Sequence, residues 1–203
     1  MAVTSSDRPP VSPVAPSVVV FDLDGTLLDS DAPLLDAFVS LGVPAESVTW
    51  GHVVADECNR LGIDLQDYLD AYDLTAAQPY DGAGDLVASL DRWAVVSNKH
   101  PRLGHRELQR LGWHPEVAMF SDVFDGPKQL GPALLALGLS ADDVVFIGDT
   151  PHDRACAQAV GARFAWAGWN PRTQPNADDL VLTHPSQVLE LVTPAEGPVA
   201  SAD

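Results

Sequence analysis

Short apolar runs alternate along the chain with longer segments in which apolar residues recur at helical spacing. These runs predict strands at Val18–Phe21, Trp93–Ser97, Ala118–Ser121, Val144–Ile147, Arg163–Ala167 and Leu180–Leu182. Most of them are separated by predicted helices, at Pro101–Leu111, Leu130–Leu137, Asp153–Val160 and Pro185–Leu191. Because strands that alternate with helices form βαβ units, the pattern predicts an α/β fold with a parallel sheet covered on both faces.

One region lacks strand patterns. Between Asp31 and Gln78 the apolar spacing predicts only helices, at Ala32–Leu41, Val48–Leu61 and Leu65–Ala76. We expect these helices to form a cap inserted after the first strand, although a purely structural helical layer would give the same pattern. The predicted domains are a disordered tail at 1–16, an α/β core at 17–30 and 80–192, a helical cap at 31–79 and a flexible tail at 193–203.

Composition and net charge argue against some classes of partner and location. The 203 residues are 46% hydrophobic and carry a formal net charge of −18, which argues against nucleic acid polymers and anionic membranes as partners. No apolar stretch approaches the ~20 residues that span a bilayer, and the first residues lack the pattern of a secretory signal. Cys58 and Cys156 are isolated, which favours buried thiols in a reducing compartment. We therefore expect a cytoplasmic protein; the sequence leaves its oligomeric state open.

Two carboxylates follow the first predicted strand. Side chains two residues apart on a strand lie on the same side, so Asp22 and Asp24 should be close together. Such a pair repels unless a cation or a shared proton neutralises it, which points to a divalent metal, an acid/base pair, or both. Gly25 allows a sharp turn, and Thr26 offers a hydroxyl and an N–H to an anion.

Three other strand or helix ends carry candidate polar groups. Ser97 and Asn98 follow one predicted strand, Lys128 precedes a predicted helix, and Asp149 and Asp153 form a GDxxxD pattern after another strand. Ligands of open α/β sheets bind at the carboxyl ends of the strands. The order of these polar groups along the chain is a more specific signal than any one of the groups alone.

These motifs together resemble the haloacid dehalogenase superfamily of phosphohydrolases. The family's DxDGT motif matches Asp22–Thr26, its strand-end Ser or Thr matches Ser97, its lysine matches Lys128, and its GDxxxD motif matches Gly148–Asp153. The match spans Val18 to Leu191. The SNK sequence that begins at Ser97 and the helical insertion are most similar to the phosphoglycolate-phosphatase branch, and imply a Rossmann-like core with a C1 cap.

The resemblance implies a Mg²⁺-dependent phosphatase that acts on a small phosphorylated metabolite through an aspartyl-phosphate. Asp22 would be the nucleophile, and Asp24 would protonate the leaving alkoxide and then take a proton from water. The Mg²⁺ ligands would be the carboxylates of Asp22 and Asp149 and the main-chain carbonyl of Asp24, with Asp153 as a supplementary or outer-sphere ligand.

The resemblance also assigns the groups that hold the phosphoryl oxygens. Lys128 and Ser97 would stabilise the charge that develops on them. Thr26 and Asn98 would donate further hydrogen bonds.

Other functions stay open at this point. A β-phosphoglucomutase-like phosphomutase uses the same motifs and a similar cap, but it must retain the phosphoryl group, a demand that no motif here displays. A non-catalytic phosphate-binding or regulatory protein would have a degenerate site, whereas Asp22, Asp24, Ser97, Lys128 and Asp149 are intact. A dehalogenase would leave Asp24 without a role, and a receiver domain would lack the helical insertion.

Charge in the predicted cap suggests a substrate preference. Between Asp31 and Asp91 the only Lys or Arg is Arg60, against 12 Asp and Glu residues. We therefore expect neutral or cationic leaving groups to be preferred over multiply anionic ones, while a single compact carboxylate could still be met by Arg60.

Overall fold

The computed structural model describes residues 15–192. Its strands are β1 Val18–Phe21, β2 Leu28–Asp29, β3 Gln78–Pro79, β4 Trp93–Val96, β5 Val117–Met119, β6 Val144–Gly148, β7 Arg163–Ala167 and β8 Val181–Leu182. Six of them form one parallel sheet in the order β5-β4-β1-β6-β7-β8, and β2 pairs with β3 in a separate antiparallel ribbon. The predicted α/β fold class is confirmed.

Helices cover both faces of the sheet. They are α1 Asp31–Ser40, α2 Val54–Leu61, α3 Leu65–Ala71, α4 Ala83–Ser89, α5 Pro101–Leu111, α6 Leu130–Leu137 and α7 Pro151–Val160, with 3-10 turns at Ala45–Ser47, Ala141–Asp143 and Pro185–Glu190. None of the described helices is long and apolar enough to cross a membrane. The tails predicted at both ends lie outside the described residues, apart from residues 15 and 16.

The central strand β1 is buried on both faces. Val19 and Phe21 pack in a cluster with α4 and α5, while Val18 and Val20 pack in a second cluster with α6 and α7. This alternation is the two-residue period of a strand, and burial on both faces explains why β1 reads as an uninterrupted apolar run. The sheet therefore holds the residue after Phe21 rigidly at its carboxyl edge.

The three helices α1 to α3 lie between β2 and β3 in the chain and form a third buried cluster, to which Leu103 of α5 also belongs. In this cluster the ring centroids of Phe38 and Tyr68 are 4.4 Å apart. The chain leaves and re-enters the core through the β2–β3 ribbon, where Leu28 pairs with Pro79. The assignment of 31–79 as a functional cap remains a prediction.

Several predicted element bounds were wrong. The helix expected at Val48–Leu61 starts only at Val54, because Gly51 has a φ of 81° and breaks the helical path. The helix expected at Leu65–Ala76 ends at Ala71, where Asp73 forms a turn by accepting hydrogen bonds from the N–H and hydroxyl of Thr75.

Other differences lie in the core. The segment expected as a helix at Pro185–Leu191 is a 3-10 turn, and α7 begins at Pro151, two residues before the expected start. The helix α4 and the ribbon were not expected, since α4 begins in a glycine-rich stretch and the ribbon strands have two residues each.

Candidate active site

The strand-end residues converge on one side of the sheet. Asp22 follows β1, Ser97 follows β4, and both line a pocket with about 720 Å³ of empty space. The inserted helices and the loop before α2 form the opposite wall, which includes Trp50 and Tyr68. The pocket therefore lies where ligands of open α/β sheets bind.

Three buried carboxylates meet at this edge. Asp22, Asp149 and Asp153 each present an oxygen atom within 4.8 Å of the others. Burial, together with repulsion from the other two, raises the pKa of Asp149 well above its ordinary value. A cluster of this kind favours a bound cation or a retained proton.

Lys128 partly neutralises the cluster. Its ammonium lies 2.8 Å from Oδ1 of Asp22 and also contacts Oδ1 of Asp153. Burial raises the pKa of Asp22 to about 6, although the Lys128 charge acts in the opposite direction. The two carboxylates raise the pKa of Lys128 despite its burial, so its side chain stays charged.

Asp149 is oriented by neighbours on three sides. Its Oδ1 accepts a hydrogen bond from the Thr26 hydroxyl at 3.2 Å, and its Oδ2 accepts from Asn170 at 3.0 Å and from Arg172 at 2.8 Å. A Cβ atom on Gly25 would collide with Asp149, so only glycine fits there. Thr26 thus positions Asp149, and its contact with a phosphoryl group stays a prediction.

Asp153 also starts helix α7. Its Oδ2 accepts hydrogen bonds from the Thr150 N–H at 2.8 Å and hydroxyl at 2.7 Å, while the Asp153 N–H donates back to the Thr150 hydroxyl at 3.3 Å. This reciprocal pair is a capping box. One Asp153 oxygen is therefore committed to the helix, and the other faces Lys128.

Asp24 occupies different surroundings from Asp22. Its Oδ1 accepts hydrogen bonds from the Ser30 hydroxyl and from the Lys99 ammonium, both at 2.6 Å. The same ammonium lies 2.9 Å from Glu107 and donates to the Tyr72 hydroxyl at 3.0 Å. Asp24 is thus held by a buried cation on the side of the inserted helices.

Asn98 connects the two walls of the pocket. Its amide nitrogen donates to the carbonyl of Gly51 at 2.8 Å, and its side-chain oxygen accepts the N–H of Lys128 at 2.7 Å. The neighbouring Ser97 hydroxyl is buried and accepts the Lys99 N–H at 3.3 Å. Asn98 positions other groups in this structure, so its donation to a phosphoryl group stays a prediction.

Comparison with known proteins identifies the family. A family model described as haloacid dehalogenase-like hydrolase matches residues 16–161. The chain belongs to the haloacid dehalogenase-like hydrolases. An N-acetylmuramic acid 6-phosphate phosphatase from Pseudomonas aeruginosa is 28% identical over 86% of this chain and 93% of its own.

Further relatives agree with this assignment. A phosphoglycolate phosphatase from Xanthomonas campestris is 27% identical over 86% of this chain and 91% of its own. A haloacid dehalogenase-like hydrolase from Streptococcus pneumoniae superimposes with a TM-score of 0.70 at 20% identity, over 86% of this chain and 97% of its own, which shows a shared fold. The expected family and the expected enzyme class, a phosphoric monoester hydrolase, are confirmed.

The site of this haloacid dehalogenase-like hydrolase includes residues that sequence reasoning did not assign. Lys99 lies in the SNK sequence, but its position beside Asp24 is seen only in the structure. There its ammonium also contacts the buried side chains of Glu107 and Tyr72. Arg172 lies in a polar loop and pairs with Asp31 at 2.8 Å while its guanidinium lies over the ring of Trp50. These contacts join distant segments, so no local motif marks them.

Arg60 is not a pocket residue. It pairs with both carboxylate oxygens of Glu57, at 2.5 and 2.8 Å, and donates to the carbonyl of Ser47 at 2.5 Å. Glu57 lines the pocket, whereas Arg60 is half exposed outside it. The one cation of the inserted segment is therefore engaged within that segment.

Proposed function

We propose that this protein is a Mg²⁺-dependent phosphatase that hydrolyses a small phosphorylated metabolite through an aspartyl-phosphate on Asp22. The observation that carries the proposal is the pocket itself. It places a carboxylate at a rigid strand end, a charged ammonium 2.8 Å away, and a second carboxylate, Asp24, in separate surroundings. This arrangement supplies a nucleophile, positive charge and a proton carrier to one phosphate ester.

The surroundings of Asp22 suit a nucleophile. With a pKa of about 6, its carboxylate is mostly ionised at neutral pH, and its Oδ1 pairs with the Lys128 ammonium at 2.8 Å. Lys128 balances this charge in the resting site, and the same ammonium would balance the charge of the transferring phosphoryl oxygens. The buried hydroxyl of Ser97, which lines the same pocket, is a candidate for a further donor to these oxygens.

The surroundings of Asp24 suit a proton carrier. Lys99 and Ser30 hold one carboxylate oxygen and leave the other without a fixed partner among the described residues. Two nearby carboxylates in different environments can take different roles, one as nucleophile and one as acid and base. Asp24 would protonate the leaving oxygen and then take a proton from the attacking water.

The carboxylate cluster fits Mg²⁺. Its donor set is entirely oxygen and its members are buried, and burial, together with repulsion between the carboxylates, raises the pKa of both Asp22 and Asp149. Asp22, Asp149 and the main-chain carbonyl of Asp24 would hold the ion, with Asp153 in support. The ion would neutralise charge between the carboxylates and the phosphoryl group.

The proposal includes the division of the chain into a core and a cap. Helices α1 to α3 form a buried cluster with Leu103 of α5 and contribute one wall of the pocket, which supports a covering role for residues 31–79. Buried free thiols at Cys58 and Cys156 support the cytoplasm as its location. Small phosphorylated metabolites are the proposed partners.

The variant Asp22→Asn tests the mechanism. An amide fills the same space but cannot attack phosphorus, so phosphate release should fall by about 10³-fold or more while the thermal midpoint stays within a few degrees. Phosphate release from p-nitrophenyl phosphate and from metabolite esters measures this loss. Asp125→Asn, which changes an exposed carboxylate, is the matched control and should keep full activity.

Two outcomes would contradict the proposal. Substantial turnover by purified Asp22→Asn protein would exclude the covalent intermediate. Interconversion of glucose phosphate isomers without release of phosphate by the wild-type protein would favour a phosphomutase.

A further inference from the structure

The hydroxyl of Tyr68 is a buried polar group without a partner. Tyr68 lies on α3, is 0% exposed, and lines the pocket. Among residues 15–192 its oxygen has no hydrogen-bond partner. Buried polar groups in proteins are almost always satisfied, so an unsatisfied one in a pocket wall calls for a ligand or a water molecule.

The nearby Lys99 ammonium does not satisfy Tyr68, because its donors are directed to other groups. An ammonium has three donors, and Lys99 directs its own to Asp24, Glu107 and Tyr72. The Tyr72 hydroxyl donates to Glu107 at 2.8 Å. Burial raises the pKa of the Tyr68 hydroxyl, while the charge of Lys99 lowers it and that of Asp24 raises it. The net shift is upward, so the hydroxyl stays neutral.

The rest of this wall is suited to an uncharged group. Phe38, Leu34 and Val54 line it with apolar surface. Arg60, the only Lys or Arg between residues 31 and 91, pairs with Glu57. These side chains and the Tyr68 hydroxyl offer apolar contact and one neutral hydroxyl to a leaving group, while the carboxylate of Glu57, which also lines the pocket, is paired with Arg60.

We propose that the Tyr68 hydroxyl binds a neutral oxygen of the leaving group, next to the ester oxygen that Asp24 would protonate. This contact selects phosphate esters of alcohols that carry further hydroxyl groups, such as polyols and sugars. The inference rests on the proposed phosphatase function. Asp24 must reach the ester oxygen, and Tyr68 lines the same pocket as Asp24 and Lys99, so the oxygen that Tyr68 binds would lie close to the phosphate in the substrate.

The variant Tyr68→Phe tests this with two substrates that differ by one hydroxyl. Wild-type protein should prefer 2-hydroxyethyl phosphate over ethyl phosphate. Loss of the tyrosine hydroxyl should lower kcat/KM for 2-hydroxyethyl phosphate by roughly 3- to 10-fold, the range of one hydrogen bond, and change it less than twofold for ethyl phosphate. Equal kcat/KM changes for both esters, or no change for either, would overturn the proposal.

Thermal stability gives a second readout that does not depend on turnover. Tyr68→Phe should keep or raise the thermal midpoint, because no internal hydrogen bond is lost. The matched variant Tyr72→Phe should lower it, because that hydroxyl bonds to Glu107 and Lys99. Equal lowering by both variants would show an internal partner for Tyr68 and overturn the inference.

The two proposals fail differently. If wild-type protein with Mg²⁺ hydrolyses neither ester nor an aryl phosphate, the phosphatase function itself is wrong. If it hydrolyses both esters and Tyr68→Phe does not discriminate between them, only the role of Tyr68 is wrong.

Discussion

At the scale of single residues, the site is built from two aspartates that share a loop but not an environment. Asp22 lies among carboxylates and Lys128, at the end of a strand that is buried on both faces. Asp24 turns toward Ser30 and the buried Lys99. This separation suits the proposed two-step phosphoryl transfer, in which Asp22 would be the nucleophile and Asp24 the proton carrier.

The proposed role of Asp24 predicts a dependence on the leaving group. Asp24→Asn should lower kcat/KM for an alkyl phosphate by about 10²- to 10⁴-fold, since the poor leaving group needs a proton. With p-nitrophenyl phosphate, whose leaving group needs little help, the loss should be at least tenfold smaller. Steady-state kinetics with both esters measure the difference, and equal losses would contradict the assignment.

Sequence reasoning predicted the convergence of those candidate residues whose positions follow from the backbone alone. Asp22, Ser97 and Asp149 follow parallel strands, so recognising the strands is enough to bring them together. Arg172 and Tyr68 could not be found in this way, because their positions depend on how a late loop and the inserted helices pack against the core. The engagement of Thr26 with Asp149 likewise became visible only from side-chain geometry.

At the scale of elements, long apolar patterns were predictive and short or polar segments were not. The helices α5 and α6 have the expected bounds, since each has an apolar face and ends at a left-handed glycine. The loop before α2 was wrongly predicted as helix. Its Thr49 instead donates its N–H and hydroxyl to Glu57 in α2, a contact between loop and helix that accompanies the turn at Gly51.

The same contact predicts a pH dependence of stability. Burial alone would raise the pKa of Glu57, but hydrogen bonds from Arg60 and Thr49 outweigh it and lower the pKa to about 2. A carboxylate whose pKa is lowered on folding contributes stability above its unfolded pKa of about 4.5, and loses it as the pH falls toward 2. This contribution should therefore disappear in acid.

The variant Glu57→Gln tests that dependence. At pH 7 it should lower the thermal midpoint by about 2–4 °C, and the difference from wild type should shrink between pH 4.5 and pH 2. Thermal unfolding followed by circular dichroism measures it. The exposed carboxylate variant Asp125→Asn should show no such difference at either pH. A constant difference for Glu57→Gln across the pH range would mean that packing, not charge, explains its effect.

At the scale of the whole molecule, three buried carboxylates lie where the sheet meets the inserted helices. The chain has a formal net charge of −18, and its three clustered carboxylates lie at the carboxyl edge of the sheet, under the inserted helices. Folding brings these groups together against their mutual repulsion. A cation that binds the folded cluster and not the unfolded chain must therefore stabilise the fold.

This linkage predicts that Mg²⁺ raises the thermal midpoint of the protein. At a concentration about 100 times its dissociation constant, the stabilisation should be about 2.7 kcal/mol, or roughly 5–10 °C for a chain of this length. NaCl at matched ionic strength should give a smaller shift, because it only screens exposed charges. Asp149→Asn, which removes one carboxylate from the cluster, should lose most of the Mg²⁺ shift and keep the NaCl shift. An equal rise with both salts, or an undiminished Mg²⁺ shift in the variant, would show that the cluster does not bind the ion.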